Sequence, residues 1–127
     1  MGVVAGLLYT KHDEWIKIEG DTVTIGITAH AAESLGDLVH IELPEEGDTF
    51  DTGDAVVEVE SVKAVAEIYT PWSCEVVAVN ADLDGEEERV NEDPFGAGWL
   101  VKVRVSGSPD TSGLLDADGY QAKLDEA

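Results

Sequence analysis

The 127-residue chain is poor in several residue types, and each shortage excludes something. It has one cysteine, Cys74, and one methionine, Met1. A lone cysteine leaves no internal disulfide framework and fits a reducing compartment. Seven basic residues stand against 28 acidic ones, a formal net charge of −21. Phosphate backbones and anionic membrane surfaces repel such a chain, so nucleic-acid and lipid partners are disfavoured. No apolar run is long enough to span a bilayer. The opening MGVVAGLLY has no basic leader, and Gly6 stands where a myristoylation motif needs Ser or Thr. A soluble cytoplasmic protein is expected. There is no GxxxxGK, no GxGxxG after a strand, no CxxC, no HExxH and no nucleophile elbow. His12, His30 and His40 lack the spacing and partners of a zinc site. Nothing here advertises an enzyme.

What the chain does have is a stretch from Ala55 to Tyr69, AVVEVESVKAVAEIY, centred on Lys63. Alternation with period two predicts a hairpin with Val62 and Lys63 at its tip. Ser61 then faces Ala64, Val59 faces Ala66 and Val57 faces Ile68, all on an apolar face. Glu60 opposite Val65 and Glu58 opposite Glu67 make the other. Two features break local rules. Tight two-residue turns favour Asn-Gly, Asp-Gly or Gly-X, which accept positive φ, and Val62-Lys63 is none of these. Glu58 and Glu67 also set like charges across the ladder. Such conflicts mark places to look for function. The plainer alternative is a lysine that merely protects a sheet edge.

The remaining segments read as a β scaffold. Residues 7 to 27 predict a meander in which Trp15, Ile16 and Ile18 pass through Glu19-Gly20-Asp21 to Val23, Ile25 and Ile27. His12, Asp13 and Glu14 read as a solvated strand end, too few to hold a metal. Thr28 is placed to cap a short helix that Gly36 ends. A strand follows over 38–43, with Leu38, His40 and Glu42 facing oppositely to Val39, Ile41 and Leu43. Residues 44–54 read as a turn-rich link. A strand over 74–80 puts Val76, Ala78 and Asn80 on one side. Residues 82–91, DLDGEEERVN, read as a solvated acidic loop. Trp99, Val101, Val103 and Val105 are expected inward on a last strand, with Leu100, Lys102 and Arg104 outward. Ser108 before Pro109 marks a helix start, and Leu114, Leu115, Tyr120 and Leu124 offer apolar contacts for one or two C-terminal helices. One domain over 1–127 is expected, with its core over about 9–106 and a helical segment over about 108–127.

A lysine on a protruding turn suits covalent attachment of a swinging cofactor, because a modifying enzyme must reach its amine. Biotinyl hairpins place methionine on each side of the lysine. Here the neighbours are Val62 and Ala64, which favours lipoate. The chain resembles the H proteins of the glycine cleavage system, from about Tyr9 to its C-terminus. The resemblance rests on Tyr9-Thr10 with Glu14-Trp15, VTIGIT (23–28), LGDLVHIELPEEGD (35–48), VESVKA (59–64) and VNEDPFGAGWLVKV (90–103). VESVKA separates this family from the lipoyl domains of 2-oxoacid dehydrogenases, whose tip usually reads DKA.

The resemblance implies a mainly β, barrel-sandwich hybrid fold of two small antiparallel sheets with a short internal helix and C-terminal helices. It implies a monomeric, non-catalytic carrier with lipoic acid in amide linkage on Lys63. The partners it implies are a pyridoxal-phosphate glycine decarboxylase, which loads an aminomethyl group on the arm, and a tetrahydrofolate-dependent aminomethyltransferase, which unloads it. Dihydrolipoamide dehydrogenase then reoxidises the dithiol, and a lipoate ligase or a lipoyl/octanoyl transferase installs the arm. Glu14 and Glu67 are implied contacts of the loaded arm, whose cationic amine carboxylates can hold.

The chain departs from the family pattern at three places. Asp13 replaces the histidine of the usual HEW, Ser34 stands where some members have histidine, and Cys74 occupies a glycine position. If that glycine needs positive φ, cysteine is expected to cost about 1 kcal/mol. Quiet burial of its thiol is the expectation. The alternative carrier is an H-like protein that relays lipoyl groups to other carriers. A Schiff-base role for Lys63 is disfavoured, because such lysines need burial or a cationic neighbour.

Overall fold

The computed structural model describes residue 4, residues 6–106 and residues 109–126. Two antiparallel sheets enclose the core, as the resemblance implies, but they are unequal. The larger has six strands in the order β1-β2-β3-β9-β8-β5 and the smaller three in the order β4-β6-β7. In the larger sheet β1 is Leu8–Tyr9, β2 Glu14–Glu19, β3 Thr22–Ile27, β5 Thr49–Phe50, β8 Cys74–Val79 and β9 Val101–Val105. In the smaller sheet β4 is Leu38–Glu42, β6 Ala55–Ser61 and β7 Val65–Tyr69. The helices are α1, Ala29–Leu35, α2, Glu88–Glu92, and α3, Ala117–Glu126.

The β2–β3 hairpin forms as expected. Glu19 pairs with Thr22, and Gly20 has φ 68° at the first turn position, where a side chain would be strained. Gly26 lies across from Trp15, and a Cβ there would come within 2.4 Å of the indole nitrogen. Glycine therefore lets the ring lie flat on the strand while its N–H donates to Pro94 O at 2.8 Å. α1 is capped by Thr28 Oγ1, which accepts from Ala31 N–H, and ends at Gly36 with φ 81°.

Several expectations need correction, each for a physical reason. A register shift between Leu38 and His40 inserts a bulge in β4. Leu38 therefore faces the core in phase with Ile41 and Leu43, not with His40 and Glu42. A second shift, between Val76 and Ala78, brings Val79 rather than Ala78 against the core. The link over 44–54 includes β5, which pairs with β8. The acidic stretch 82–91 is not a solvated loop. A 3-10 turn at Ala81–Leu83 and helix α2 bury Leu83 and Val90 completely. Leu100, expected outward, is fully buried. Ser108 lies outside the described residues, and 109–116 are not helical. The one C-terminal helix begins at Ala117. It docks through Tyr120, stacked on Tyr9 with ring centroids 4.6 Å apart.

Cys74 carries no left-handed strain, since Asp13 is the only described non-glycine residue with positive φ. Its thiol is buried against Thr70 Oγ1 at 3.6 Å, and burial pushes it above the ordinary thiol range. A buried thiol held protonated is a poor nucleophile.

Candidate functional site

The β6–β7 hairpin has the expected register from Val57 to its tip, with Val57 opposite Ile68, Glu58 opposite Glu67, Val59 opposite Ala66 and Glu60 opposite Val65, and shifts only at its far end, where Ala55 pairs with Tyr69. Its tip is built without positive φ at either Val62 or Lys63. The Ser61 side chain supplies what turn residues do not. Its Oγ accepts from Lys63 N–H at 3.2 Å and from Ala64 N–H at 3.0 Å, and donates to Ala64 O at 3.2 Å. Ser61 N–H closes the turn on Ala64 O at 2.8 Å. A serine preceding a turn was the available signal, since its hydroxyl can mimic backbone turn bonds.

The tip is braced from below by the end of α1. Val62 N–H donates to Asp37 O at 3.2 Å, and Lys63 Cε passes 3.7 Å from where a Cβ on Gly36 would sit. Asn91 on α2 ties that end down. Its Nδ2 donates to Gly36 O at 2.7 Å, and its Oδ1 accepts from Leu38 N–H at 3.1 Å. Lys63 itself is exposed, and among the described residues no carboxylate pairs with its ammonium. Among the described residues, three of the four exposed large apolar side chains lie on this hairpin and the adjoining β4: Val62 at 71 % exposure, Val65 at 58 % and Val39 at 49 %.

Glu14 is placed quite differently from a solvated strand end. It is 1 % exposed. Thr10 Oγ1 donates to its Oε1 at 2.9 Å, and Tyr69 N–H, at the far end of β7 from Lys63, donates to its Oε2 at 2.5 Å. Burial pushes its carboxyl up to about 7, against the pull of the Tyr69 and Thr10 bonds, and the Asp13 charge adds to the rise. A cleft of about 480 Å³ opens here, lined among others by Thr10, His12, Glu14, Tyr69 and Leu114. The His12 ring tilts against Tyr69 at 5.3 Å. Glu67 is exposed on β7 and lines a second groove with Glu42, Asp48 and Glu58. Glu14 thus reaches β7 from β2 through Tyr69 while Glu67 stands on β7 itself, and the two do not share a cavity; Lys63 lines neither.

The Lys63 amine therefore stands exposed on a braced tip, open to a group that would attach there. The family model for the glycine cleavage H-protein matches residues 7–127. The chain belongs to the glycine cleavage H-protein family. It is 48 % identical over 125 residues to the glycine cleavage system H protein of Idiomarina loihiensis, covering 98 % of this chain and 97 % of that one. To the H protein of Rubrobacter xylanophilus it is 50 % identical over 120 residues, 94 % and 93 % of the two chains. The crystal structure of a glycine cleavage system H protein from Mycobacterium marinum superposes with a TM-score of 0.87 at 36 % identity, covering 97 % of this chain and 99 % of that one. As a family member the chain is a non-catalytic lipoyl carrier in glycine cleavage. No described helix of this H protein is long and apolar enough to cross a membrane.

Proposed function

We propose that Lys63 is the lipoyl attachment residue of this H protein, and that Glu14 and Glu67 hold the loaded arm. The observation that carries the first part is the exposed, unpaired Lys63 ammonium on a tip whose backbone Ser61 and Asp37 fix. Such a tip fits lipoate: the amine is open to a modifying enzyme, and the flanking backbone is held by hydrogen bonds.

Lipoate, when bound, supplies the sulfur that takes up the aminomethyl group; the protein supplies position and shelter. β7 is an edge strand, and the order along it runs from the Lys63 tip by exposed Glu67 to Tyr69, whose N–H meets Glu14. The buried Glu14 carboxyl lies at that end. A cationic amine docked there would favour the ionised carboxylate, and the two charges would attract strongly away from water. The partners follow from this reading: glycine decarboxylase, aminomethyltransferase, dihydrolipoamide dehydrogenase and a lipoate ligase or lipoyl/octanoyl transferase, met by a cytoplasmic monomer.

The test is the intact mass of the chain after incubation with lipoate and a lipoylating enzyme, beside Lys63→Ala. A lipoyl-sized increment on the parent that vanishes in the variant is expected. An increment that survives in Lys63→Ala would move the attachment elsewhere. Its absence from the parent, while a control carrier is modified, would remove the cofactor.

A further inference from the structure

Asp13 stands at φ 65°, in the left-handed region that aspartate tolerates better than most side chains. This conformation lets backbone and side chain reach separate partners. Its carbonyl accepts from Thr28 N–H at 3.0 Å. Its carboxylate accepts from the Tyr120 hydroxyl at 2.9 Å and pairs with Lys123 Nζ at 3.5 Å. Tyr120 is fully buried, and its one hydroxyl proton is committed to Asp13. The 2.7 Å contact between Tyr120 and Thr28 Oγ1 is therefore donated by Thr28. Thr28 Oγ1 in turn accepts from Ala31 N–H at 3.2 Å.

A directional chain thus runs from the start of α1 through Thr28 and Tyr120 to Asp13, the neighbour of Glu14. The turn is closed by Asp13 N–H on Thr10 O at 3.2 Å and by Thr10 N–H on Glu14 O at 2.9 Å. Glu14 spends its side-chain bonds on Thr10 and Tyr69, so α3 acts on it through Asp13. The other end of α1, at Gly36, lies against Lys63. One hydroxyl on the C-terminal helix therefore touches both the turn that carries Glu14 and the helix that supports the lysine tip.

The geometry points to Tyr120 as a positioning residue whose hydroxyl, through Asp13 and Thr28, holds the Glu14 carboxyl in its cleft and so prolongs retention of the aminomethyl load. Retention in this sense rests on the reading of Glu14 as an arm contact. Tyr120→Phe separates positioning from packing, because it keeps the ring stacked on Tyr9 and removes only the hydroxyl.

Two readouts on the full-length lipoylated protein decide it. The first is the titration of the Glu14 carboxyl in the unloaded protein, followed by carbon NMR; the second is the half-life of the aminomethyl load. In Tyr120→Phe the Glu14 midpoint is expected to fall by roughly half a unit or more, as water reaches a loosened carboxyl. The half-life is expected to shorten about five-fold, which is about 1 kcal/mol. In a Glu14→Gln background, Tyr120→Phe should shorten the half-life no further. An unmoved Glu14 titration in Tyr120→Phe overturns the positioning role, whatever the half-life does. A moved titration with unchanged retention, where Glu14→Gln alone does shorten it, overturns the link to the arm. If Glu14→Gln keeps its load as long as the parent, the arm-contact reading fails by itself, and the titration still decides what Tyr120 does.

Discussion

Glu14 has a cost that its neighbours do not have. A carboxyl 1 % exposed, held by one backbone N–H and one hydroxyl, is easier to bury neutral than charged, which is why its midpoint stands at about 7 rather than the ordinary 4.5. The sign of the stability effect follows. Between these two values the folded protein keeps the proton and the unfolded chain releases it. This group's contribution is therefore complete below about pH 4.5 and is lost as the pH rises through about 7. The shift from 4.5 to about 7 corresponds to on the order of 3 kcal/mol. Glu14→Gln removes the titration while the other carboxylates titrate in both proteins. Chemical unfolding of the pair should show the variant gaining on the parent between about pH 5 and pH 8. Parallel stability curves over that range would mean that Glu14 ionises in place at little cost.

The hairpin shows what an element needs beyond its pattern. Strand alternation was enough to set the register from Val57–Ile68 to Glu60–Val65, because a slip of one residue would turn Val57, Val59 and Ile68 out to water. The tip was not legible in the same way. Val62 and Lys63 are poor turn formers, and the turn instead borrows the Ser61 hydroxyl. Ser61→Ala should destabilise the protein by about 1 kcal/mol, the usual net contribution of a hydrogen bond, since the N–H groups it frees lie on the exposed residues Lys63 and Ala64. Amide exchange at Lys63 and Ala64 should accelerate before the rest of β6 and β7 responds; unchanged exchange there would show that Asp37 alone holds the tip. The remaining misreadings share a cause in tertiary contact. Bulges at β4 and β8 shift the phase by one residue, which alternation cannot register. The acidic run around α2 hid Val90, whose burial depends on how the chain folds back. Glu14 looked solvated because its two partners, Thr10 and the Tyr69 N–H, come from a turn and from a strand 55 residues away. Lys63, by contrast, was fully legible as an exposed tip residue, because exposure needs no partner.

Across the whole molecule the charges are segregated as well as unbalanced. Between Lys17 and Lys102 the only basic residues are Lys63 and Arg89. The outer face of the three-stranded sheet carries Glu42, Glu58, Glu60 and Glu67, with Glu58 directly opposite both Glu42 and Glu67. Among the described residues three ion pairs form, all between side chains partly open to water. Pairs of that kind contribute little, so the surplus of negative charge remains as repulsion that folding concentrates. Salt relieves it, because the screening length falls to about 3 Å at 1 M. Thermal unfolding should move upward by roughly 5–10 °C between low salt and 1 M sodium chloride, which for a domain of this size is a gain of a few kcal/mol. Sucrose at matched osmolality stabilises by exclusion without screening, and should give a smaller rise. Equal shifts in the two solutes would show that charge repulsion is not what limits this fold. A larger shift in salt would mean that the acidic surface, the sheet face with Glu42, Glu58, Glu60 and Glu67 included, is maintained at a cost in stability.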